Sequence, residues 1–397
     1  MLLREISGTV AQVLPLPMYS LRDFGEMISD PGRFGAYVEA IAAAVRPGAT
    51  VAEIGAGTGV FSLLACKAGA RRVFAIEVES SIQFARELAA ANGFSDRIEF
   101  FESSSLTTEL PERVDLVVSD IRGALPLFGH AVPALEDART RFLAAGGIMV
   151  PLSDTLKVAV VEAEQYYSRL TSPWQKSVVG INLLPLRLPV LNQFYTVNFH
   201  RDQLLTQVLD WGTLDYTIGA SARVAAQLDF CAERNAAGHG ICLWFDTKLF
   251  GSIGFSSAPG TPGSVYGQMF LPWLEPVALQ KGEHIHVALQ ANLVGDDYVW
   301  QWETIIPAAA QRAPLHFRQS TFEGAPYSAR SLHRQALDFV PALSPAGQAD
   351  LWMLEKMNGS ASLREIAQLA AQHFPGLFPS WYEAFRRAAS LSSRFAR

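Results

Sequence analysis

The feature that most constrains this chain is an apolar run that ends in a glycine-rich turn and continues as a helical pattern, residues 51–62, VAEIGAGTGVFS. The run predicts a strand, a turn and a helix. Gly55, Gly57 and Gly59 permit backbone angles and close approaches that side chains would block, so a ligand can lie against the main chain at the helix N-terminus. A tight structural corner would need similar glycines, but the pattern favours a nucleotide-like ligand.

A second apolar strand, residues 72–76, follows the helix and ends at Glu77. An acid at the tip of the second strand, roughly 20 residues past the glycines, is placed to accept hydrogen bonds from two ribose hydroxyls. The alternative is an ordinary exposed carboxylate at a strand end. Ser104, just past the third strand, is predicted near an adenine, although an ordinary loop serine fits that position equally well.

The spacing of the glycines separates two classes of nucleotide-binding domain. Dinucleotide folds prefer Gly-x-Gly-x-x-Gly, whose helix faces a pyrophosphate. Here the pattern is Gly-x-Gly-x-Gly, with Glu53 two positions before the first glycine. It resembles the first motif of class I methyltransferases that use S-adenosylmethionine (SAM), and the resemblance implies that Glu53 lies at the methionine end. We therefore predict SAM as the cofactor, with S-adenosylhomocysteine (SAH) as its product, rather than a dinucleotide.

Length, charge and cysteine content exclude several other classes. The 397 residues suffice for two or three domains, and a net charge of −6 without a run of Lys or Arg disfavours a nucleic-acid partner. The three cysteines, Cys66, Cys231 and Cys242, have no metal-binding spacing and indicate a reducing compartment. No apolar segment reaches the length of a membrane span, and the N-terminus does not have the pattern of a secretion signal, so we expect a cytoplasmic protein.

The first half of the chain predicts an α/β domain. Residues 1–50 are expected to form an N-terminal arm or edge strand to about residue 20, followed by helices. Apolar strands then alternate with helical patterns over residues 51–151. This alternation predicts a Rossmann-like parallel sheet with helices on both faces.

Beyond residue 151 the pattern changes to short β-branched and aromatic strands broken by Gly and Pro. It predicts an antiparallel β-barrel or sandwich over residues 152–306. An apolar insertion at about 164–192 has little regular period and is predicted to be a dimerisation arm. Residues 307–338 resemble a linker, and residues 339–397 predict a small helical module.

Several short motifs make the chain similar to the protein arginine methyltransferases over roughly residues 20 to 305. Besides the glycine turn and Glu77, these are Ala65-x-Lys67-Ala68-Gly69-Ala70-x-x-Val73, Phe142-Leu143-x-x-Gly146-Gly147 with Pro151, Gly254-Phe255-Ser256 and Lys281-Gly282-Glu283. Met27, Asp30 and Arg33 keep the spacing of the family's N-terminal helix. The resemblance implies that Arg33 pairs with the SAM carboxylate, although a plain surface arginine is the alternative, and we expect a homodimer formed through the arm.

The departures from that family fall at its catalytic centre. Arginine methyltransferases carry two glutamates after the fourth strand, which together grip the substrate guanidinium. Here Asp120 stands at the first position, Gly129 at the second, and Arg122 has entered the loop. The family's Thr-His-Trp loop aligns with Ser264-Val265-Tyr266. One short acid beside an arginine would bind a guanidinium poorly because of like-charge repulsion, so we expect the SAM machinery without the arginine pocket.

Such a pocket would suit a less basic nucleophile, such as an indole, a phenol or a neutral amine. Asp120, His130 and Tyr266 are the candidate bases or orienting groups. Each has an ordinary alternative, respectively a turn cap, a loop histidine and barrel packing. We predict a small-molecule methyltransferase of natural-product type. A divergent protein arginine methyltransferase and a catalytically inactive scaffold are the other hypotheses.

The helical tail contains a separate motif, Gly359-Ser360-x-Ser362-Leu363-x-Glu365-Ile366-Ala367. Ser362 and Glu365 fit a helix N-terminal capping box. The motif resembles PqqD-type winged-helix modules, which hold peptides or carrier domains, and this resemblance implies a peptide substrate or secondary metabolism. A plain helical appendage is an equally good interpretation.

Overall fold

The computed structural model of this chain describes residues 19–175, 178–309, 312–326 and 328–396. These residues form two compact units, one over residues 19–325 and one over residues 326–396. Most of the predicted N-terminal arm lies outside the described residues.

Two helices precede the first strand, α1 (Leu21–Ser29) and α2 (Pro31–Ala44). The carboxylate of Asp30 accepts a hydrogen bond from the Arg33 backbone N–H (3.0 Å) and caps α2, and Pro31 takes the first helical position. One face of α2 is buried at intervals of three or four residues and carries both Arg33 and Tyr37. The helix therefore directs a charged side chain into the interior.

The next elements form the predicted Rossmann-like domain. They are β1 (Thr50–Ile54), α3 (Val60–Lys67), β2 (Arg72–Glu77), α4 (Ile82–Ala91), β3 (Ile98–Glu102), β4 (Val114–Ser119), α5 (Ala131–Arg141) and β5 (Leu143–Val150). The five strands pair in parallel in the order β3-β2-β1-β4-β5. The order reverses between β1 and β4, and ligands of such sheets bind at the carboxyl ends of the strands at this point.

Antiparallel sheets follow, which confirms the antiparallel part of the predicted fold class. Their strands are β6 (Ser153–Val161), β7 (Tyr195–Val197), β8 (Leu209–Asp215), β9 (Arg223–Cys231), β10 (Ala236–Phe250), β11 (Ile253–Ser256), β12 (Gln268–Leu279), β13 (His284–Val294), β14 (Asp297–Ile306) and β15 (Leu315–Ser320). One sheet has the order β7-β12-β10-β6-β8, with β11 paired to β10, and the other has the order β15-β14-β13-β9.

The segment predicted as an arm contains α6 (Glu164–Thr171), two short 3-10 helices (Ser172–Trp174 and Leu184–Leu186) and α7 (Arg187–Leu191). A third 3-10 helix, Arg201–Gln203, follows β7.

The linker predicted over 307–338 is wrong in part. Strand β15 pairs with β14 along its whole length, and the short helix α8 (Thr321–Gly324) follows it. Phe317 and Gln319 of β15 point inward. A run of six residues with two polar members on its exposed face is too short to stand out from the surrounding Arg, Ala and Pro.

The two faces of the parallel sheet pack against different partners. One face contacts side chains of α2 and α3, including Tyr37, Ile41 and Phe61. The other face shares a continuous apolar cluster with the antiparallel sheets, in which Phe74 and Trp273 are fully buried. Strand β6 contributes Leu156, Val158 and Val160 to this shared core.

The C-terminal unit contains α9 (Ala329–His333), α10 (Pro345–Lys356), α11 (Leu363–His373) and α12 (Trp381–Phe395). The capping box is confirmed, because the Ser362 hydroxyl accepts from the Glu365 N–H and the Glu365 carboxylate accepts from the Ser362 N–H (2.8 Å). Among the described residues of this unit there is no strand, and the likeness to PqqD-type modules stays a prediction.

Candidate active site

A cavity of about 490 Å³ opens at the carboxyl ends of β1, β2 and β4, where the strand order reverses. Its volume is within the range of pockets that hold ligands the size of a nucleoside cofactor. Among the predicted site residues, those that line it are Arg33, Glu53, Gly55, Gly57, Glu77, Asp120 and Tyr266. Gly59, Ser104 and His130 do not line it.

The glycine turn shapes one wall of this cavity. Gly55 and Gly57 have positive φ angles of 72° and 53°. A Cβ at Gly57 would lie 2.6 Å from the ring of Phe24, so only glycine lets α1 close over the turn. Gly59 also has a positive φ, but a Cβ there would meet Ala85 of α4 at 2.7 Å. Gly59 therefore allows helices α3 and α4 to pack closely, and the prediction that it contacts the cofactor is not supported by its position.

Glu77 lies at the end of β2, as predicted. Its carboxylate accepts hydrogen bonds from the backbone N–H groups of Gly57 (2.8 Å) and Glu79 (2.9 Å). Burial raises the pKa of Glu77, although these backbone bonds lower it. A carboxylate has about four acceptor positions, so two remain for ribose hydroxyls. Ser104 instead lies in the loop after β3, where its hydroxyl accepts from the Leu106 N–H (3.3 Å).

Glu53 is the second acid of the cavity and is 2% exposed. It accepts hydrogen bonds from the backbone N–H (2.7 Å) and the hydroxyl of Ser62, at the start of α3. Burial raises the pKa of Glu53 to about 8. Within the described part of the chain no cation pairs with it, so a cationic group of a ligand would favour ionisation of this buried carboxyl and pair with it.

Arg33 reaches the cavity from α2. Its Nε donates to Asp120 and to the Tyr266 hydroxyl (3.1 Å), and its Nη1 donates to the Met27 carbonyl (2.9 Å). The guanidinium lies 5.5 Å from the ring centre of Phe61. Its Nη2 makes no hydrogen bond to any described residue and remains available to a carboxylate. The donors and acceptors of the cavity therefore fit the two ends of SAM.

Asp120 follows β4 and is enclosed by donors. Its oxygens accept from Arg33, from Arg122 Nη1 (2.7 Å) and from the Tyr266 hydroxyl (2.7 Å), and its side chain is 4% exposed. Burial by itself would raise the pKa of Asp120, but the guanidiniums of Arg33 and Arg122 hold it below its ordinary value. Asp120 is therefore a weak proton acceptor, although it lies where a catalytic acid was predicted.

The other two candidate bases have different positions. Tyr266 lies beside Asp120, and burial raises its pKa well above the ordinary value. His130 precedes α5 and faces the turn between β13 and β14, where its Nε2 lies 3.0 Å from an oxygen of Asp296. The ring is half-exposed to solvent outside the cavity. The structure thus brings Asp120 and Tyr266 together and leaves His130 apart.

Sequence reasoning missed Tyr37 and Asp154, two buried residues that bind Arg122 in the loop after β4. The Tyr37 hydroxyl donates to the Ser119 carbonyl (2.8 Å) and accepts from Arg122 Nη1 (2.7 Å). Asp154 forms a two-bond ion pair with Arg122 and is fully buried. One signal was available in the sequence, because Tyr37 is one helical turn after Arg33 and therefore lies on the same face of α2.

The remaining wall of the cavity is apolar and was also not predicted. It is formed mainly by Phe24, Met27, Ile28, Ile121, Phe128 and Val265. Apart from Glu53 and Glu77 at the cofactor end, the acids that line the cavity are Asp120 and Glu79.

Comparison with known proteins agrees with this architecture. The family model described as ribosomal protein L11 methyltransferase (PrmA) matches residues 36–161. A probable histone-arginine methyltransferase CARM1 of Oryza sativa subsp. indica is 28% identical over 275 residues, covering 65% of this chain and 52% of its own length. Protein arginine N-methyltransferase 6 of Xenopus laevis is 28% identical over 285 residues, covering 68% of this chain and 81% of its own. The chain thus spans about half the length of the rice relative that it matches.

A solved structure shows the same fold. The Trypanosoma brucei PRMT1 enzyme-prozyme heterotetrameric complex with AdoHcy superposes with a TM-score of 0.68 at 21% identity, covering 75% of this chain and 97% of that one. Fold and site together define a class I SAM-dependent methyltransferase architecture. Within that class the chain resembles the protein arginine methyltransferases, as predicted. In the described part of the chain, no helix has the length and apolar character needed to cross a membrane.

Proposed function

We propose that this chain is a SAM-dependent methyltransferase that modifies an uncharged small-molecule nucleophile of natural-product type, such as an indole, an amine or a phenol. When bound, SAM supplies an electrophilic methyl group on a sulfonium for an in-line displacement. Arg33 Nη2 would bind its carboxylate, Glu77 its ribose hydroxyls, and Glu53 would lie at its cationic methionine end. The Trypanosoma brucei neighbour is a complex with the related product AdoHcy, which supports the same cofactor here.

The observation that carries the choice of acceptor is that three donors of the chain already occupy Asp120. Its two oxygens already accept from Arg33, Arg122 and Tyr266. The second acidic position of the related enzymes is Gly129, which has no side chain. A substrate guanidinium at Asp120 would therefore meet two resident guanidiniums and a carboxylate that they already share, and like charges in contact within a buried site repel strongly.

The catalytic groups need to do little for a neutral acceptor. Displacement from a sulfonium depends mainly on positioning, and the apolar wall with Phe24 and Phe128 can orient a flat ring. Asp120 holds the Tyr266 hydroxyl and the Arg33 guanidinium in place. We assign Asp120 and Tyr266 to orientation of the acceptor, whose released proton passes to solvent water. The position of His130 outside the cavity gives no support to a catalytic role.

A divergent protein arginine N-methyltransferase is the alternative. Its support is the sequence similarity, since the rice and frog relatives carry arginine methyltransferase names. A catalytically inactive scaffold is the alternative from another class, and the intact polar groups of the cofactor end argue against it.

We also propose that the chain is a homodimer formed through the arm, residues 164–192. The arm exposes Val178, Val179, Ile181, Leu184, Leu186 and Leu188, an apolar surface of the kind that a partner covers. The three cysteines are unpaired, which supports a reducing cytoplasmic location.

The first experiment is calorimetric titration with SAM and SAH, followed by methyl transfer from labelled SAM to a panel of indoles, amines, phenols and a Gly-Arg-rich peptide. We expect both cofactor forms to bind and a neutral acceptor to be labelled, with the peptide unmodified. Robust labelling of the peptide would establish the arginine methyltransferase alternative. Absence of SAM binding by a folded protein would point to the scaffold.

A further inference from the structure

The guanidinium of Arg122 is held between two carboxylates, Asp120 after strand β4 of the parallel sheet and Asp154 in strand β6 of the antiparallel sheet. Its Nε and Nη2 donate to the two oxygens of Asp154 (2.9 and 3.0 Å). Its Nη1 donates to Asp120 and to the Tyr37 hydroxyl (2.7 Å each). Four of the five N–H bonds of the guanidinium are thus used, in the two-bond geometry that carboxylates prefer with arginine. This position therefore binds a guanidinium well, and Arg122 of the chain provides that guanidinium.

The groups that surround this guanidinium, which we call its receptor, belong to residues other than Arg122. Asp154 is fully buried, and the hydroxyls of Tyr216 (2.7 Å) and Thr247 donate to it. The rings of Phe245 and Phe255 lie 5.5 and 5.9 Å from the guanidinium carbon. Carboxylates with aromatic faces beside them are the features that bind guanidinium groups in proteins.

This receptor borders the cavity in which methyl transfer would occur. Arg122 lines the cavity and is two residues from Asp120, on the loop that leaves β4. Within the network the carboxylates of Asp120 and Asp154 balance the charges of Arg33 and Arg122. A third guanidinium, brought by a ligand, would leave a net positive charge in a buried site, which is costly.

We propose that Asp120 and Asp154 form a two-carboxylate guanidinium subsite and that Arg122 is the specificity-determining residue that fills it. Arg122 thereby excludes guanidinium ligands, so the cavity binds uncharged acceptors. The consequence for acceptor choice rests on the proposed function, whereas the existence of the subsite does not. Removal of the Arg122 side chain should leave an empty subsite that binds a free guanidinium.

The test is chemical rescue of Arg122→Ala with methylguanidinium, monitored by thermal unfolding of the full chain without SAM. Methylammonium at the same low-millimolar concentration controls for charge and ionic strength. We expect Arg122→Ala to melt below the wild type, and methylguanidinium to raise its melting temperature by about 3 °C more than methylammonium does, in a saturable manner. The wild type should not distinguish the two cations, because its subsite is filled.

A matched variant, Arg122→Ala with Asp154→Asn, keeps the space but removes one carboxylate, and its selective response should disappear. Equal effects of both cations on Arg122→Ala, or an equal selective response of the wild type, would overturn the proposal. If Arg122→Ala does not fold alone, refolding with methylguanidinium should recover it. Failure of that recovery, with a folded Arg122→Met/Asp154→Asn variant in hand, would also overturn it. None of these measurements uses methyl transfer, so failure of the proposed function would be seen separately in the acceptor panel.

Discussion

Replacement of Glu53 by glutamine removes a proton-binding group from the cavity while keeping its shape and an acceptor oxygen for Ser62. Glu53 is 2% exposed, and burial, the largest influence, raises its pKa from 4.5 to about 8. The hydrogen bonds from Ser62 lower the pKa but do not offset burial. At neutral pH the folded protein therefore holds a proton that the unfolded chain releases.

The direction of the pH dependence follows from this proton. Between pH 4.5 and about 8 the folded state binds more protons at Glu53 than the unfolded state, so the contribution of Glu53 to stability falls as pH rises. At 1.36 kcal/mol per pH unit this interval amounts to at most about 5 kcal/mol. Glu53→Gln has no proton to lose, so we expect similar stability near pH 5 and an advantage over the wild type of about 2 to 5 kcal/mol at pH 8.

The assay is urea unfolding of the cofactor-free wild type and Glu53→Gln at a series of pH values from 5 to 8. Glu99→Gln is the matched control, because Glu99 lies at the surface of β3 with its side chain 43% exposed. The free energy of unfolding of Glu99→Gln should follow that of the wild type across the pH series. If the Glu53→Gln and wild-type profiles run parallel, Glu53 is ionised in the folded protein and the reasoning from its burial fails.

Three further perturbations test other parts of the structure. Glu77→Gln should weaken SAM binding about 10- to 100-fold in calorimetry, since a charged acceptor of two ribose hydroxyls is lost; affinity equal to that of the wild type would remove Glu77 from the site. Asp120→Asn should destabilise the fold by about 3 kcal/mol because it leaves buried Arg33 and Arg122 without their shared counterion. The control Asp210→Asn breaks the solvent-exposed pair with Lys157 and should cost less than about 1 kcal/mol in the same denaturation assay. Ile181→Asp, at an arm residue 62% exposed, should shift the sedimentation mass from dimer to monomer, while Ile218→Asp, at a residue 79% exposed outside the arm, should leave the dimer intact; a monomeric wild type would contradict the assignment of the arm.

Local patterns in the sequence predicted the Rossmann-like half well. The structure of residues 51–62 could be predicted from those residues alone, because strand period, positive φ angles and helix onset depend on neighbouring residues. Glu77 could be placed because a parallel sheet brings the ends of β1 and β2 to the same edge. By contrast, β15 is held by pairing with β14, a contact that leaves little trace in six residues of mixed character.

The sequence by itself determined the fold class and the polar groups that fit the cofactor, through periodicity and the spacing of glycines and acids. It also showed that the second acid of the related enzymes is absent and that Arg122 has entered the loop. Only the tertiary structure decided that Arg122 binds Asp154 and that His130 faces Asp296 outside the cavity. The physical reason is that a side chain in a loop is paired by whatever the packing of distant elements brings near it. Asp120 is 87 residues from Arg33 and 146 from Tyr266, and no local pattern encodes a buried charge balance over such separations.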